Sequence, residues 1–236
     1  MDQSHASSPL AGAVHDLATE VVLALRSGDH LATVCGAAGI DEDNRTGIAA
    51  VRVIGADLLL PSVLYGRNPH PGDIAVLRRA VRDFPPRPDA SDAAVWSHWG
   101  MMSALHRTAS ATGQPSAGAP GTDEPNAAWL ERAPWQAFTH QLSVLAPLAV
   151  PAASSAVHRA AAHRVLDLSR GFVRAVRRRN WLQAAGAGRW LATLDSRPDS
   201  LGLERGLDFV ELMGGADSRV ALHVRAARLT AEGRAR

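Results

Sequence analysis

Residues 154–180 read SSAVHRAAAHRVLDLSRGFVRAVRRRN and carry the strongest helical pattern in the chain. Apolar side chains recur there every three or four residues, a spacing that places them on one face of an α-helix. Either Ser154 or Ser155 is expected to cap the first turn, because a hydroxyl can accept a bond from an unpaired backbone N–H. We predict one continuous amphipathic helix over residues 157–178, closed by Asn180. Its buried face comprises Val157, Ala161, Val165, Leu168, Phe172 and Val176.

Positive charge is concentrated in and just after this predicted helix. Residues 159–190 hold eight arginines and one acid, Asp167, whereas the rest of the chain holds 17 arginines and 22 acids. A local cationic patch concentrates anionic partners, and arginine binds carboxylate or phosphate through two parallel hydrogen bonds. The polar side of the helix is therefore expected to be a partner-binding face with charge and apolar surface separated. Its arginines are Arg159, Arg170, Arg174, Arg177, Arg178 and Arg189.

The same arginines have a second interpretation, as solvated surface or as partners of acids on a neighbouring helix. His163 and Asp167, four residues apart, could form an ion pair or a pair of metal ligands. If the arginines do bind a partner, we expect an acidic protein or peptide before nucleic acid. The formal net charge is only +2, so acidic surface elsewhere would repel a long polyanion.

Composition bounds the protein class. At 236 residues and 46% hydrophobic residues, the chain can bury a substantial core. It contains no lysine and much alanine, which is typical of a high-GC genome and suggests an actinobacterial source. Because that bias favours arginine codons everywhere, the number of arginines is a weaker indication of binding than their clustering.

The sequence favours a soluble, cytoplasmic protein. A single cysteine, Cys35, excludes an intrachain disulfide and a thiolate zinc cluster, and we expect it to be a buried, inert thiol. The first residues lack the basic and apolar regions of a secretory signal. Pro147 and Pro151 interrupt the most apolar stretch, residues 142–157, before it reaches the length of a membrane span. We therefore predict no membrane partner.

Helical patterns and turn residues along the chain predict an all-α bundle of about nine helices in two lobes. One long helix is expected from residue 41 or 42 to Tyr65, kinked or ended by Pro61. Residues 109–126 are rich in Gly, Ala, Ser and Pro and indicate a flexible linker or loop. This divides an N-terminal lobe, 1–108, from a C-terminal lobe, 127–236, that carries the basic helix.

The C-terminal lobe resembles the tetratricopeptide-type helical repeats in its packing pattern. Asn180 and Trp181 followed by Ala184 suggest the close helix approach of such hairpins, and the similarity covers about 70 residues. The resemblance implies antiparallel helical pairs and carries over no functional residue.

A second candidate site lies in the helix predicted to begin near Ser91. His98, Met102 and His106 are spaced four residues apart on its apolar face, where adjacent members could ligate haem iron or copper. All three cannot share one ion, because the outer two are about 12 Å apart. Histidines on an apolar face are also common as hydrogen-bonded core residues.

No nucleotide-binding, nucleophile-elbow or metalloprotease motif occurs in the sequence. Two hypotheses follow. The first is a non-enzymatic binding or adaptor protein that uses the arginine face. The alternative is a small haem- or metal-dependent enzyme of a bacterial specialised biosynthetic pathway, using the His98 helix.

Overall fold

The computed structural model describes residues 8–28, 33–111, 123–151 and 154–234, and all regular structure in these ranges is helical, which confirms the all-α prediction. Short 3-10 turns lie at Gly55–Leu59, Ala146–Leu148 and Asp199–Leu201. The helices are α1 Pro9–Ser27, α2 Val34–Ala37, α3 Arg45–Ile54, α4 Leu60–Tyr65, α5 Pro71–Asp83, α6 Asp92–Ala111, α7 Ala128–Arg132, α8 Trp135–Val144, α9 Ala156–His163, α10 Val165–Arg177, α11 Trp181–Ala192, α12 Leu203–Gly214 and α13 Ser218–Arg234.

The long helix expected before Tyr65 is broken at Gly55, so the prediction of a break at Pro61 is wrong. Gly55 has φ 65° and ψ −137°, a conformation that side chains with a β-carbon rarely adopt. A buried 3-10 turn follows, and Pro61 lies in the first turn of α4, where its missing N–H costs nothing. The break places Asp57 in the protein interior, 1% exposed.

Arg45–Tyr65 is long and apolar enough to cross a membrane by length and composition alone. However, 61% of its apolar window is buried inside the fold, as in the core helices of soluble proteins. This packing is consistent with the expected soluble protein.

The predicted basic helix is two helices. Arg164, with φ −114° and ψ 34°, separates α9 from α10, so the prediction of a continuous helix is wrong. Ser155 caps α9 by accepting the His158 N–H, as expected. Asn180 begins α11 by accepting the Gln183 N–H and does not close α10. The predicted apolar face is inside, with Val157, Ala161, Leu168 and Phe172 buried and Val165 and Val176 half-buried.

Helix α11 is the centre of the C-terminal half. It packs against α8, α10, α12 and α13, and its residues from Ala184 to Ala192 are buried. Gly186 lies against the backbone of Ser143 in α8, and the Trp190 indole N–H donates to the Leu142 carbonyl at 2.7 Å. Alanine and glycine therefore allow helix backbones to approach closely around α11.

The described residues contain two large clusters of buried apolar side chains, and α6 and α13 contribute to both. Trp96 and Val224 belong to the cluster around α11, whereas Met101 and Leu222 belong to the cluster around α1 and α3. Helix α13 also packs directly on α1. The predicted domain boundaries remain a prediction, and residues 112–122 of the predicted linker lie outside the described residues.

Substituting Gly186 tests the close approach of α11 to α8. A β-carbon there would lie 2.7 Å from the Ser143 carbonyl oxygen, so Gly186→Ala is expected to destabilise the fold by about 1–3 kcal/mol. In the control, Gly12→Ala in α1, the new methyl meets nothing within 4 Å and should stabilise the helix by about 0.5–1 kcal/mol. Urea unfolding measures both, and equal effects would contradict the packing described.

Candidate functional site

Four of the predicted arginines line a shallow groove along the outer surface of α10. Leu166, Arg170, Val173 and Arg177 follow one another at helical spacing and form a single exposed stripe. The prediction that charge and apolar surface are separated is therefore wrong on this side of the helix. We call this groove the α10 face, and it is lined by Trp135, Leu166, Ser169, Arg170, Val173, Arg174, Arg177, Arg178, Pro198, Ser200 and Leu201.

Large apolar side chains on the α10 face are open to solvent. Leu166 is 61% exposed and Val173 is 42% exposed, although α10 buries Leu168 and Phe172 on its other side. Single exposed apolar residues are ordinary, but here two alternate with arginines along one face of a helix. The stripe is thus apolar and cationic in alternation.

The arginines of the α10 face keep most of their capacity to bind an acid. Arg170, with its side chain 70% exposed, lies 3.8 Å from Asp167, a long contact for an ion pair. Arg174 lies over the Trp135 ring at 5.6 Å. Among the described residues, no carboxylate forms an ion pair with Arg174, Arg177 or Arg178.

Arg164 explains why Asp167 does not neutralise this face. The Arg164 guanidinium binds the Asp167 carboxylate at 2.7 and 2.9 Å and lies over the Phe138 ring at 4.2 Å. It also donates to the carbonyls of Leu130 and Ala133, each at 2.8 Å. Asp167 is therefore mainly the partner of a structural arginine that holds α10 against α7 and α8.

Two of the predicted partner-binding arginines do not belong to the α10 face. Arg159 lies on α9, where it donates to the Ser154 carbonyl and is 3.6 Å from the Glu124 carboxylate. Arg189 lies on α11 and is 0% exposed, so its placement on a partner-binding surface is wrong. Arg189 is buried because α11 is surrounded by other helices and has no face open to solvent at this position.

Arg189 forms a buried ion pair with Asp57 across the two halves of the chain. Both terminal nitrogens bind the carboxylate oxygens at 2.7 Å, and Nε donates to the Ala149 carbonyl at 3.2 Å. Such bidentate geometry offsets part of the cost of removing two charges from water. The pair joins the 3-10 turn after α3 to the centre of α11.

His223 on α13 completes this cluster. Its Nδ1 is 3.3 Å from the Arg189 Nη1 atom and 3.8 Å from an Asp57 oxygen. The pKa of His223 is lowered to about 4: burial is the largest cause, Asp57 partly opposes it, and Arg189 adds to the lowering. The imidazole is therefore neutral at physiological pH.

One sequence pattern does indicate this cluster, although it is much weaker than the arginine-rich pattern around α10. Asp57 is the only charged residue between Arg52 and Tyr65, and Arg189 is the only one within α11. One charge of each sign, each inside an apolar helical stretch, indicates a buried pair, because either charge alone would be costly. Nothing in the local sequence distinguishes His223 as its third member.

The proposed haem or copper ligands are in different environments. His98 is buried, and its Nδ1 has no hydrogen-bond partner among the described residues, whereas Met102 is half-buried and His106 is exposed. Burial lowers the pKa of His98, and the nearby Arg52 guanidinium lowers it further. No group of three His, Cys, Asp or Glu in the described ranges could hold a metal ion. The placement of His106 on the core face is wrong.

Cys35 is buried at 1% exposure, as expected. Burial raises the pKa of its thiol, and the Asp73 carboxylate raises it further. Asp73 accepts the backbone N–H groups of Val34 and Cys35 at 3.1 and 2.8 Å, whereas His70 caps α5. The Asp73 carboxylate thus has a structural role at the start of α2, and the thiol is not activated.

No protein-family model, curated protein or solved structure matches the chain. The tetratricopeptide resemblance therefore stays a prediction about packing. Two places in the described part of the chain carry chemistry that bears on function: the α10 face and the Asp57–Arg189–His223 cluster.

Removing one member of the buried pair tests its structural role. Asp57→Leu or Arg189→Met is expected to lower the free energy of unfolding by about 3–5 kcal/mol, because each leaves a charge buried without its partner. The double variant D57L/R189M should lose less than the two single changes together. Urea unfolding gives the coupling. Arg79→Ala, which breaks the solvent-exposed ion pair with Asp83, is the control and should cost far less stability than either change at the buried pair.

Stability is expected to fall with pH because of His223. Its pKa lies below the ordinary value of 6.5, so the unfolded chain binds a proton that the folded protein does not. The stabilisation is complete above pH 6.5 and is lost as pH falls towards 4, by about 3 kcal/mol. Unfolding between those pH values should show a flatter slope for His223→Gln than for the natural protein. Identical slopes would mean that His223 does not titrate in this way.

Proposed function

We propose that the chain is a non-enzymatic binding protein whose α10 face holds an acidic, amphipathic helix of a partner protein. The observation that carries this proposal is the alternation of Leu166, Arg170, Val173 and Arg177 along one exposed stripe. A solvated surface helix has no need for large apolar residues in register with its arginines. A docking surface needs both.

The two kinds of side chain have different roles in such a complex. Leu166 and Val173 would gain free energy when a partner removes them from water, because hydrophobic burial scales with apolar area. The arginines would steer the encounter and fix the register through contacts with carboxylates. Helix α10 has 13 residues and is therefore about 20 Å long. A partner helix of three to four turns would match it, with apolar residues facing the stripe and acids flanking them.

A protein partner is favoured over nucleic acid by the composition of the face. Proteins that bind single strands offer aromatic side chains for base stacking, but the one aromatic residue of this groove, Trp135, lies under Arg174. The chain also carries 23 acids and a net charge of only +2. A cytoplasmic location is part of the proposal, since the single cysteine is a free thiol in the fold.

Charge reversal tests the cationic half of the proposal. The probe is a fluorescent synthetic peptide with leucines on one helical face and glutamates on the other, and a lysine version of it serves as the reference. The triple variant R170E/R174E/R178E should bind the glutamate peptide at least about a hundredfold more weakly in fluorescence polarisation. Circular dichroism and the melting temperature should stay nearly unchanged, because these side chains are exposed.

The matched control is R45E/R78E/R87E, which changes the net charge equally at three exposed arginines outside the α10 face. It should bind the glutamate peptide like the natural protein. Equal losses in the two triple variants would reduce the effect to overall charge and refute a local site. Tighter binding of a single-stranded oligonucleotide than of the peptide, with a steep salt dependence, would refute a protein partner.

The apolar half is tested by Leu166→Asp against Leu212→Asp, a substitution at a 79% exposed leucine on α12 outside this groove. Only the change at Leu166 should weaken peptide binding, because only Leu166 lies in the stripe. Unchanged binding by both variants would mean that the peptide is held by charge alone.

A further inference from the structure

A cavity of about 270 Å³ lies beside the buried ion pair. It is enclosed by the last residues of α3 and α8 and the first residues of α11 and α13. Six of its wall residues are apolar: Val53, Ile54, Val144, Pro147, Leu182 and Leu222. Val53 and Val144 are 50% and 52% exposed, so the cavity has an apolar mouth open to solvent. Pockets for drug-sized ligands occupy about 300–1,000 Å³, so this cavity fits a smaller molecule.

His223 presents a hydrogen-bond donor to this cavity. An arginine guanidinium has N–H donors and no acceptor, so Nδ1 of His223 must accept from Arg189 at 3.3 Å. Because the imidazole is neutral, its one proton then lies on Nε2. The ring lines the cavity, is about nine-tenths buried, and Nε2 has no partner within the described part of the chain.

Most of the other polar wall groups that remain available are donors, and His140 can donate or accept. Arg219 carries a cationic guanidinium with N–H groups beyond the two that bind Asp217. The Gln183 amide oxygen is taken by Asn180, which leaves its NH₂ group. Asp57 is the only carboxylate of the wall, and both its oxygens accept from Arg189. The wall therefore offers donors and positive charge to a ligand, and few acceptors.

We infer that this cavity binds a small monocarboxylate with an apolar chain, such as a medium-chain fatty acid. Its carboxylate accepts from Nε2 of His223 and from Arg219, and its chain packs among the six apolar wall residues. This site is separate from the α10 face and goes beyond the proposed docking function.

The experiment compares octanoate, 1-octanol and octylamine, which share a chain length and differ in the head group. Octanoate at millimolar concentration should raise the melting temperature progressively, because a ligand that binds only the folded state stabilises it. Isothermal titration should give an affinity for octanoate about tenfold higher than for 1-octanol, since charge-assisted hydrogen bonds are the stronger ones. Octylamine should give no shift.

Two variants locate the site. Val144→Trp places a large ring at the mouth and should abolish octanoate binding, whereas Leu23→Trp, at a similarly exposed residue on α1 away from the cavity, should leave it intact. Arg219→Gln should remove the preference for octanoate over 1-octanol. In ¹H–¹⁵N spectra of the histidine rings, assigned with His223→Gln, octanoate should shift the Nε2–H signal of His223.

Absence of binding by all three compounds overturns the inference, and so does octanoate binding that survives Val144→Trp in a folded protein. Equal affinities for octanoate and 1-octanol would contradict the inference that the cavity recognises a carboxylate. The R170E/R174E/R178E variant should bind octanoate normally, so failure at the α10 face and failure at the cavity remain distinguishable.

Discussion

The bidentate ion pair between Asp57 and Arg189 is the contact that fixes how the two halves of this chain meet. Its members lie 132 residues apart and are 1% and 0% exposed. A buried charge without a partner is far more costly than a misplaced apolar side chain. If α11 were shifted along the 3-10 turn, the ion pair would break and leave two unpaired buried charges. Such a shift therefore costs more free energy than the loss of hydrophobic packing alone. His223 adds an acceptor to the same guanidinium and so brings α13 into the arrangement.

Two interruptions in helical stretches create the places where function is proposed. The break at Gly55 turns Asp57 towards the core, so the ion pair and the adjacent cavity both depend on it. The break at Arg164 separates α9 from α10 and lets Arg164 hold Asp167. The remaining α10 arginines then face solvent without a strong internal carboxylate. The two helix breaks thus determine that Asp57 and Arg164 form internal ion pairs, whereas the arginines of the α10 face remain exposed to solvent.

The α10 face and the cavity would bind anions in different physical settings. On the α10 face the charges are exposed, so each ion pair contributes little and screening by salt is strong. Affinity there depends on apolar residues among the arginines. In the cavity the donors are partly desolvated and the walls are apolar, so a single carboxylate interacts more strongly. The chemistry expected of each place follows from burial more than from residue type, since both use arginine.

The sequence by itself determined the helical class, the buried face of residues 157–176 and a serine cap at residue 154 or 155, which the structure places at Ser155. These features depend on residues three or four positions apart, so periodicity and capping rules predict them. Four of the six predicted arginines lie together for the same reason. Only the tertiary structure decided that Arg189 meets both Asp57 and His223, that Leu166 and Val173 are exposed, and that a cavity lies beside His223. Those outcomes depend on which helices cover which faces, and that choice is made by contacts between residues distant in the chain.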